Sequence, residues 1–388
     1  MPSWLITLAI GFAAIYIIDR IWKVALIWHF FRQNAPPKPE KWPSLSLIQP
    51  LTASPNDLRA VLTIRAHLKY PGQLQQILIC DRQDAGSQAL CQTLMSQVAA
   101  WQPHLVQVDS SSGVALKTAK QLAGLEAATG EVLCFIDDDI LLRPHTLTTL
   151  VRYLQPGIGA TFGLACYTNW RSAWGGLMSA FVNANALLNY VPLTYLTELY
   201  TITGHIYALK RADFDRIGGL NGMGERLDDD HELARRVTRA GMRNRQTPAI
   251  YNVDNDLPTL RAFLEQMKRW FIFPRELMLP GISQRQRILT FASSLPNLLP
   301  GLLCILALSG SSTWPALAAC LLVFYAVYLW GKERFLKETM PTWGWPLLVL
   351  VALVLPFQIL FLLFSDNTIL WRGQRMRVKR GGRYEIIE

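Results

Sequence analysis

The chain of 388 residues carries 38 Lys and Arg against 28 Asp and Glu, a formal charge of +10, with 51% hydrophobic and only 17% charged residues. A soluble globular protein carries roughly 25% charged residues, and this composition excludes a disordered, a collagen-like or a disulfide-stapled chain. Low charge combined with 13 Trp points to a membrane.

The elements follow in chain order. Met1–Ile18 has no charged side chain, and beyond Asp19, Arg20 and Lys23 the apolar run resumes as Val24–Phe31. No small-residue cleavage site follows, so residues 1–32 are expected to form a retained transmembrane anchor. Trp4, Trp22 and Trp28 suit an interface belt. A helix lying on the bilayer surface is the alternative, because three charges interrupt the run. Arg32, Lys38 and Lys41 then place the middle of the chain in the cytoplasm.

Residues 43–280 are more polar and alternate between strand and helix patterns. Ser44–Gln49, Gln75–Cys80, Leu105–Val108 and Val132–Ile136 are short apolar runs ending in polar residues, with helical patterns at Leu58–Leu68, Gly86–Ala100 and Ala115–Ala128. This order predicts an α/β domain with a mostly parallel sheet, whose ligands bind beyond the carboxyl ends of the strands. The polar residues at those ends are Pro50 and Thr52, Asp81 and Asp84, Asp109, and Asp137–Asp139. Cys80 and Cys134 read as small buried hydrophobes, and none of the six Cys makes a CxxC pair or a Cys/His metal spacing.

Four clusters carry chemistry. Asp137, Asp138 and Asp139 end a buried strand, and three adjacent like charges repel unless a cation sits among them. Asp137 and Asp139 could hold Mg²⁺ or Mn²⁺ through two carboxylates, leaving positions for substrate phosphates; a solvated turn is the bland reading. Next, Leu227-Asp-Asp-Asp-His-Glu232 opens a helix running to about Ala240, with Asp228 or Asp229 able to cap it. Capping does not account for four acids in five residues, so at least one faces a site, and His231 beside them reads as structural. Thr203-Gly-His-Ile-Tyr-Ala208 follows a long apolar stretch, Trp174–Tyr200, read as a surface helix bordering an acceptor site and making Gly204 and His205 acceptor-side candidates. Finally, Gln266, Arg269 and Trp270 share one face of a helix spanning about Pro258–Phe273, and an Arg held in this way can clamp phosphate through two parallel hydrogen bonds. Lys117 opens the helix before the acidic strand and could meet a phosphate.

Between Arg287 and Lys332 lie 44 uncharged residues, enough for two spans broken near Ser309–Thr313 and kinked by Pro296 and Pro300; Met340–Ser365 is a further uncharged run. Residues 285–365 are thus a C-terminal transmembrane cluster of two to three segments, and 366–388 a basic tail with six Arg and Lys. The basic tail prefers the cytoplasm, whereas four full crossings would put it outside. One apolar segment is therefore expected to be re-entrant or interfacial, the candidates being the 288–310 run and the interrupted N-terminal run.

Together these motifs resemble the ceramide glucosyltransferase family, a membrane branch of the glycosyltransferases with a GT-A fold and a D…D…D…(Q/R)xxRW pattern. The resemblance covers nearly the whole chain. It aligns Asp84, with Asp81 in reserve, as the first Asp, Asp137 as the second and Asp230 as the third, then Gln266, Arg269 and Trp270, and it includes Leu370-Trp-Arg-Gly-Gln-Arg375 with Gly381-Gly382. It implies a cytoplasm-facing multi-pass enzyme that moves a hexose from a nucleotide sugar, UDP-glucose or similar, to a membrane lipid hydroxyl (ceramide-like, hopanoid or other) with inversion. Asp230 would be the catalytic base. Asp84, Lys117, Asp137, Asp138, Gln266, Arg269 and Trp270 would bind the nucleotide sugar, and Asp137 and Asp139 a divalent metal. Rival readings are a processive polysaccharide synthase sharing the same core, and a non-catalytic scaffold or transporter. Transport is disfavoured because the uncharged spans contain no ionisable residue marking a path. A nucleic-acid partner is disfavoured because the surplus positive charge lies at the membrane flanks and tail, where it suits lipid head groups.

Overall fold

In a computed structural model of the protein, residues 3–52, 57–109, 116–224, 226–371 and 374–387 are described. The chain opens with α1 (Ser3–Arg32), then alternates β1 (Leu45–Pro50), α2 (Leu58–Ala66), β2 (Leu74–Asp81), α3 (Ala85–Gln97), β3 (His104–Val108), α4 (Leu116–Ala127) and β4 (Val132–Ile136). β1 and β4 are buried at every position, as strands covered on both faces must be, which is why they read as unbroken apolar runs. A second half follows: β5 (Ile140–Leu141), α5 (Thr146–Arg152), β6 (Ile158–Tyr167), α6 (Ala173–Leu196), β7 (Ile206–Lys210), α7 (Arg211–Arg216), α8 (Asp229–Arg239), β8 (Arg243–Val253) and α9 (Leu260–Phe273).

The strands form one sheet in the order β3-β2-β1-β4-β7-β6-β8-β5. β1 to β4 are mutually parallel, β7 runs antiparallel to both β4 and β6, and β8 returns parallel to β6. The expected early strands and helices are all present. Strands β6 and β8, the long pair that completes the sheet, had no counterpart in the sequence reading. Because β1 lies between β2 and β4, the connections depart in opposite directions there, and a crevice opens at the carboxyl ends. Into it come Thr52, Asp81 and Asp137.

The apolar segments pack beside this sheet. Among the described residues, three helical stretches are long and apolar enough to cross a membrane: Ser3–Arg32, Gln284–Leu308 and Ser311–Leu336. The second consists of α10 (Gln284–Ser294), a 3₁₀ turn at Leu295–Leu298 and α11 (Leu299–Leu308), and the third contains α12 (Trp314–Gly331). The last apolar run behaves differently: α13 (Trp345–Leu353) and α14 (Leu355–Leu363) meet at a 45° bend. This bent pair is a broken span or a re-entrant loop, whereas the sequence reading sought its re-entrant or interfacial segment in the N-terminal or 288–310 run. Pro356 lies at the break and has no N–H to continue the helix.

The basic tail is folded. β9 (Thr368–Trp371), β10 (Gln374–Val378) and β11 (Tyr384–Ile386) form an antiparallel sheet whose Ile369, Met376 and Val378 are buried with Leu227, Ile272 and Leu277. Arg372 and Gly373 of the C-terminal signature lie outside the described residues. The other signature element is seated directly on the acidic loop: the Gly382 carbonyl accepts from Leu227 N at 3.1 Å, and Arg226 pairs in a β-bridge with Arg383. Gly382 has φ +90°, and a Cβ there would collide with Asp228 Oδ1. Gly382→Val should consequently destabilise the fold by at least about 1–3 kcal/mol, the usual cost of a sparsely allowed backbone, before the clash is counted. The measurement is the melting temperature in detergent; an unchanged value would mean that the tail does not seat on this loop.

Candidate active site

The three acids after β4 go three ways. Asp137 Oδ1 pairs with Lys117 Nζ at 2.9 Å, while its backbone N–H donates to the His205 carbonyl at 2.9 Å. Asp138 turns to the end of β1, where its Oδ2 accepts from the Thr52 backbone N–H at 2.7 Å and from the Thr52 hydroxyl. Asp139 points inward, and its buried Oδ1 has no hydrogen-bond partner among the described residues. Burial, together with the charges of Asp137 and Asp138, pushes its carboxyl well above the usual carboxylate range.

Lys117, in the first turn of α4, bridges to the second acidic cluster: its Nζ lies 3.5 Å from Asp229 Oδ2 and donates to the Gly204 carbonyl at 3.3 Å. Burial by itself would lower its pKa, but Asp137 and Asp229 hold it well above the ordinary lysine value, so it stays charged. The acids around α8 divide by partner. Asp228 is gripped by Arg226 at 3.0 and 2.9 Å. Glu232 accepts from Arg236 at 3.0 Å and also from Arg235, and although burial opposes it, these arginines and Arg226 hold its carboxyl below the usual range. Asp230 is different. Burial, and next the charge of Asp229, raise its pKa to about 7, with Lys117 opposing. Its Oδ1 accepts from the His231 N–H at 2.7 Å, and its Oδ2 lies where a Cβ on Gly204 would stand, 2.8 Å away. Glycine at 204 is what allows the chain to pass this carboxylate.

His205 faces Tyr251 OH through Nδ1 at 3.1 Å and Tyr167 OH through Nε2 at 3.4 Å. Burial pulls its pKa down to about 4, so it is a neutral hydrogen-bonding post rather than an acid. His231 is likewise buried and held neutral, its value lowered to about 4 first by burial and then by Arg235.

From the opposite wall, α9 is capped by Thr259, whose hydroxyl accepts from Ala262 N at 3.1 Å. This start sets Gln266 and Arg269 one turn apart, with Arg269 Nη2 donating to Gln266 Oε1 at 2.5 Å. Trp270 packs edge-on against Tyr167, ring centroids 5.9 Å apart. Burial pushes the Tyr167 hydroxyl well above the usual range, and the Arg269 charge opposes this while adding to the lowering of His205, so the guanidinium lies by the same tyrosine–histidine floor.

The structure separates the two candidates for the first acid. Asp84 caps α3, with both carboxylate oxygens taken by the Ser87 N–H at 3.0 Å and hydroxyl at 2.6 Å. Asp81 instead pairs with the buried Lys120 Nζ at 2.6 Å and keeps a buried Oδ1 without a partner among the described residues. Sequence reasoning missed Lys120, although its spacing of three from Lys117 on α4 puts the two on one helix face. It also missed buried Arg65, which donates to Gln49 Oε1 at 3.0 Å and to the Ile140 carbonyl at 2.7 Å and so ties the ends of β1 and the acidic turn.

Among the described residues, no three His, Cys, Asp or Glu side chains gather as ligands for a metal. The hard oxygens of Asp137 and Asp139, one of them buried and unpartnered, do fit a divalent cation that takes two protein carboxylates and fills its other positions with phosphate and water.

A profile for glycosyl transferase family 21 matches residues 5–384. The chain belongs to that family. The chain is 25% identical over 166 residues to the N-acetylglucosaminyltransferase of Mesorhizobium japonicum, a match covering 41% of this chain and 38% of that protein. The chain thus matches well under half of that relative's length. Its fold is similar to that of the mannosyltransferase PcManGT from Pyrobaculum calidifontis, solved in complex with GDP-Man and Mn²⁺: the TM-score is 0.51 at 18% identity, over 85% of this chain and 100% of that one. Glucosyl-3-phosphoglycerate synthase from Mycobacterium tuberculosis, solved with Mg²⁺ and uridine diphosphate, is similar over 63% of this chain and 80% of its own, with a TM-score of 0.37 at 14% identity. The mixed eight-stranded sheet is that of the GT-A glycosyltransferases.

Proposed function

We propose that this glycosyltransferase moves a hexose from a nucleotide sugar, UDP-glucose or similar, to the hydroxyl of a membrane lipid, inverting the anomeric centre in one displacement. The observation that carries the reading is Asp230: a half-buried carboxylate with its pKa raised to about 7, beside Gly204 at the crevice where the acidic strand, Lys117 and the tyrosine–histidine floor converge, on a fold flanked by apolar helices. A general base is most effective when its pKa lies near the working pH. As the lipid oxygen bonds to the anomeric carbon, Asp230 takes its proton and the bond from that carbon to the diphosphate breaks. Lys117 and Arg269 face the negative charge that grows on the leaving diphosphate.

We assign the nucleotide base or ribose to Asp81 in preference to Asp84, because the Asp84 oxygens are already occupied in capping α3. His205, Tyr167 and Tyr251 position the floor on which Gly204 leaves room for the acceptor. A divalent Mg²⁺ or Mn²⁺ would be held by Asp137 and Asp139 and would neutralise charge on the diphosphate; the Mn²⁺ bound to PcManGT supports this. Chelation should then abolish transfer and Mn²⁺ or Mg²⁺ restore it, whereas full activity in metal-free protein with excess EDTA would remove that role.

We place the sheet domain on the cytoplasmic side. The tail packs on it, so both lie on one side and an even number of crossings must separate them. Two crossings by 284–308 and 311–336, with the bent 342–363 pair re-entrant, satisfy this. The test of function is a panel of nucleotide sugars and membrane lipids given to purified protein, with products read by mass spectrometry. One sugar per lipid supports the proposal, and a polymer series would make the protein a synthase.

A further inference from the structure

Where the apolar helices meet the sheet domain there is a cavity of about 300 Å³. Most of its wall is aromatic and aliphatic, but polar side chains enter from three elements. α6 contributes Phe181, Asn185 and Asn189, spaced by four along one face, and α10 with the turn after it contributes Thr290, Ser294 and Asn297. The third is Arg20 of α1. It is 2% exposed, its guanidinium stacked on the Tyr16 ring at 4.6 Å and hydrogen-bonded to Asn297, yet its Nε–H is buried and has no acceptor among the described residues. Asp19 lies 3.2 Å from Arg20 and 3.1 Å from Lys23, and the Lys23 ammonium also donates to the Ser293 carbonyl at 2.6 Å. Two cations therefore share one carboxylate inside an apolar bundle. A charge there is costly and marks function by default. An oxygen from a ligand would complete the hydrogen bonding, and an anionic one the charge balance as well.

The cavity adjoins the active site. Tyr190, next to Asn189, feels the charge of Asp230, and the Tyr200 hydroxyl meets Thr290 Oγ1 at 2.7 Å. On α9, Phe271 lines the cavity while its neighbour Trp270 packs on the site's Tyr167. From Thr290 to Asn297 the polar stripe covers about 10 Å at the helical rise of about 1.5 Å per residue. On the outer side, Phe291, Leu295 and Leu360 line the cavity and are also exposed large apolar residues, as a mouth open to hydrocarbon would be.

We infer that this cavity binds the acceptor lipid, which enters sideways past Phe291, Leu295 and Leu360 and offers head-group oxygens to Arg20, Asn185 and Asn189 while its hydroxyl reaches toward Asp230. The inference rests on the proposed transfer to a lipid and adds where that lipid sits and which side chains select it. The occupant is an amphiphile with an oxygen-rich head, those oxygens coming from hydroxyl and amide groups or from a phosphate ester.

Ser294→Trp fills the cavity from an exposed position without disturbing the core, and Arg20→Gln removes the buried cation. With ceramide and phosphatidylglycerol as the two probes, both variants should raise the KM for the accepted lipid at least tenfold and leave nucleotide-sugar affinity unchanged. Native mass spectrometry should show the probe lipid retained by wild type and lost from Ser294→Trp, and the retained species tells which head-group oxygen is used. Transfer to a lipid with unchanged KM and unchanged retention in Ser294→Trp overturns the cavity assignment and leaves the activity standing. Retention lost in Ser294→Trp without transfer to any lipid supports the cavity and refutes the lipid-transfer reading. Neither retention nor transfer in wild type refutes both.

Discussion

Asp230→Asn should lower sugar transfer by roughly 10²–10⁴-fold, the usual contribution of a positioned general base. The substitution keeps the shape and the hydrogen bond from the His231 N–H but cannot accept the proton of the acceptor hydroxyl. Nucleotide-sugar affinity and melting temperature should stay near wild type, because the fold depends on other acids of this cluster: Asp228 in the grip of Arg226 and Glu232 among its three arginines. Glu232→Gln should accordingly lower stability rather than remove base chemistry. The pH profile gives an independent check. With its carboxyl raised to about 7, wild-type Asp230 is mostly protonated below that pH and cannot act as base. kcat/KM should therefore rise with pH up to about 7 and level off above it. The Asn variant should lack this limb. Wild-type turnover in Asp230→Asn would remove the carboxylate from the mechanism.

Arg269→Lys should cost about 2–4 kcal/mol of transition-state stabilisation, the range for losing a positioned charge-stabilising donor. Lysine keeps the charge but loses the planar fork, one Nη–H of which is anchored on Gln266 Oε1. The loss should appear mainly in kcat, because in the proposed transfer the charge the fork meets grows as the diphosphate leaves. Unchanged kcat in Arg269→Lys would reduce this face of α9 to packing between the site and the apolar helices.

Much of the site was legible because its chemistry is local. Asp137–Asp139 end a buried apolar run, and repulsion among adjacent carboxylates is visible without a fold. The Gln266, Arg269 and Trp270 face follows from helical spacing alone. The pair Asp81 and Asp84 marks the limit. Asp81 ends the strand and Asp84 follows it, and only the helix start at Ala85, with Ser87 three residues after Asp84, turns the Asp84 side chain into a cap. Nothing local marks Lys120, because its partner Asp81 is remote in sequence.

What the sequence by itself determined is the apolar ends, the α/β middle with β1 to β4, and the types of residue at the strand ends, because these rest on periodicity and on charge within a few residues. Tertiary structure decided the rest. Pro296, Pro300 and Pro356 all lack an N–H, yet only the last lies at a sharp bend, since the packing of neighbouring helices settles whether a freed backbone group is satisfied again. The tail's six basic residues read as a cytoplasmic tail and say nothing of its packing. Its short strands bury Ile369, Met376 and Val378 on the sheet domain, against side chains about a hundred residues or more away along the chain. A contact of that range appears in no local pattern, because its energy exists only once both surfaces have formed.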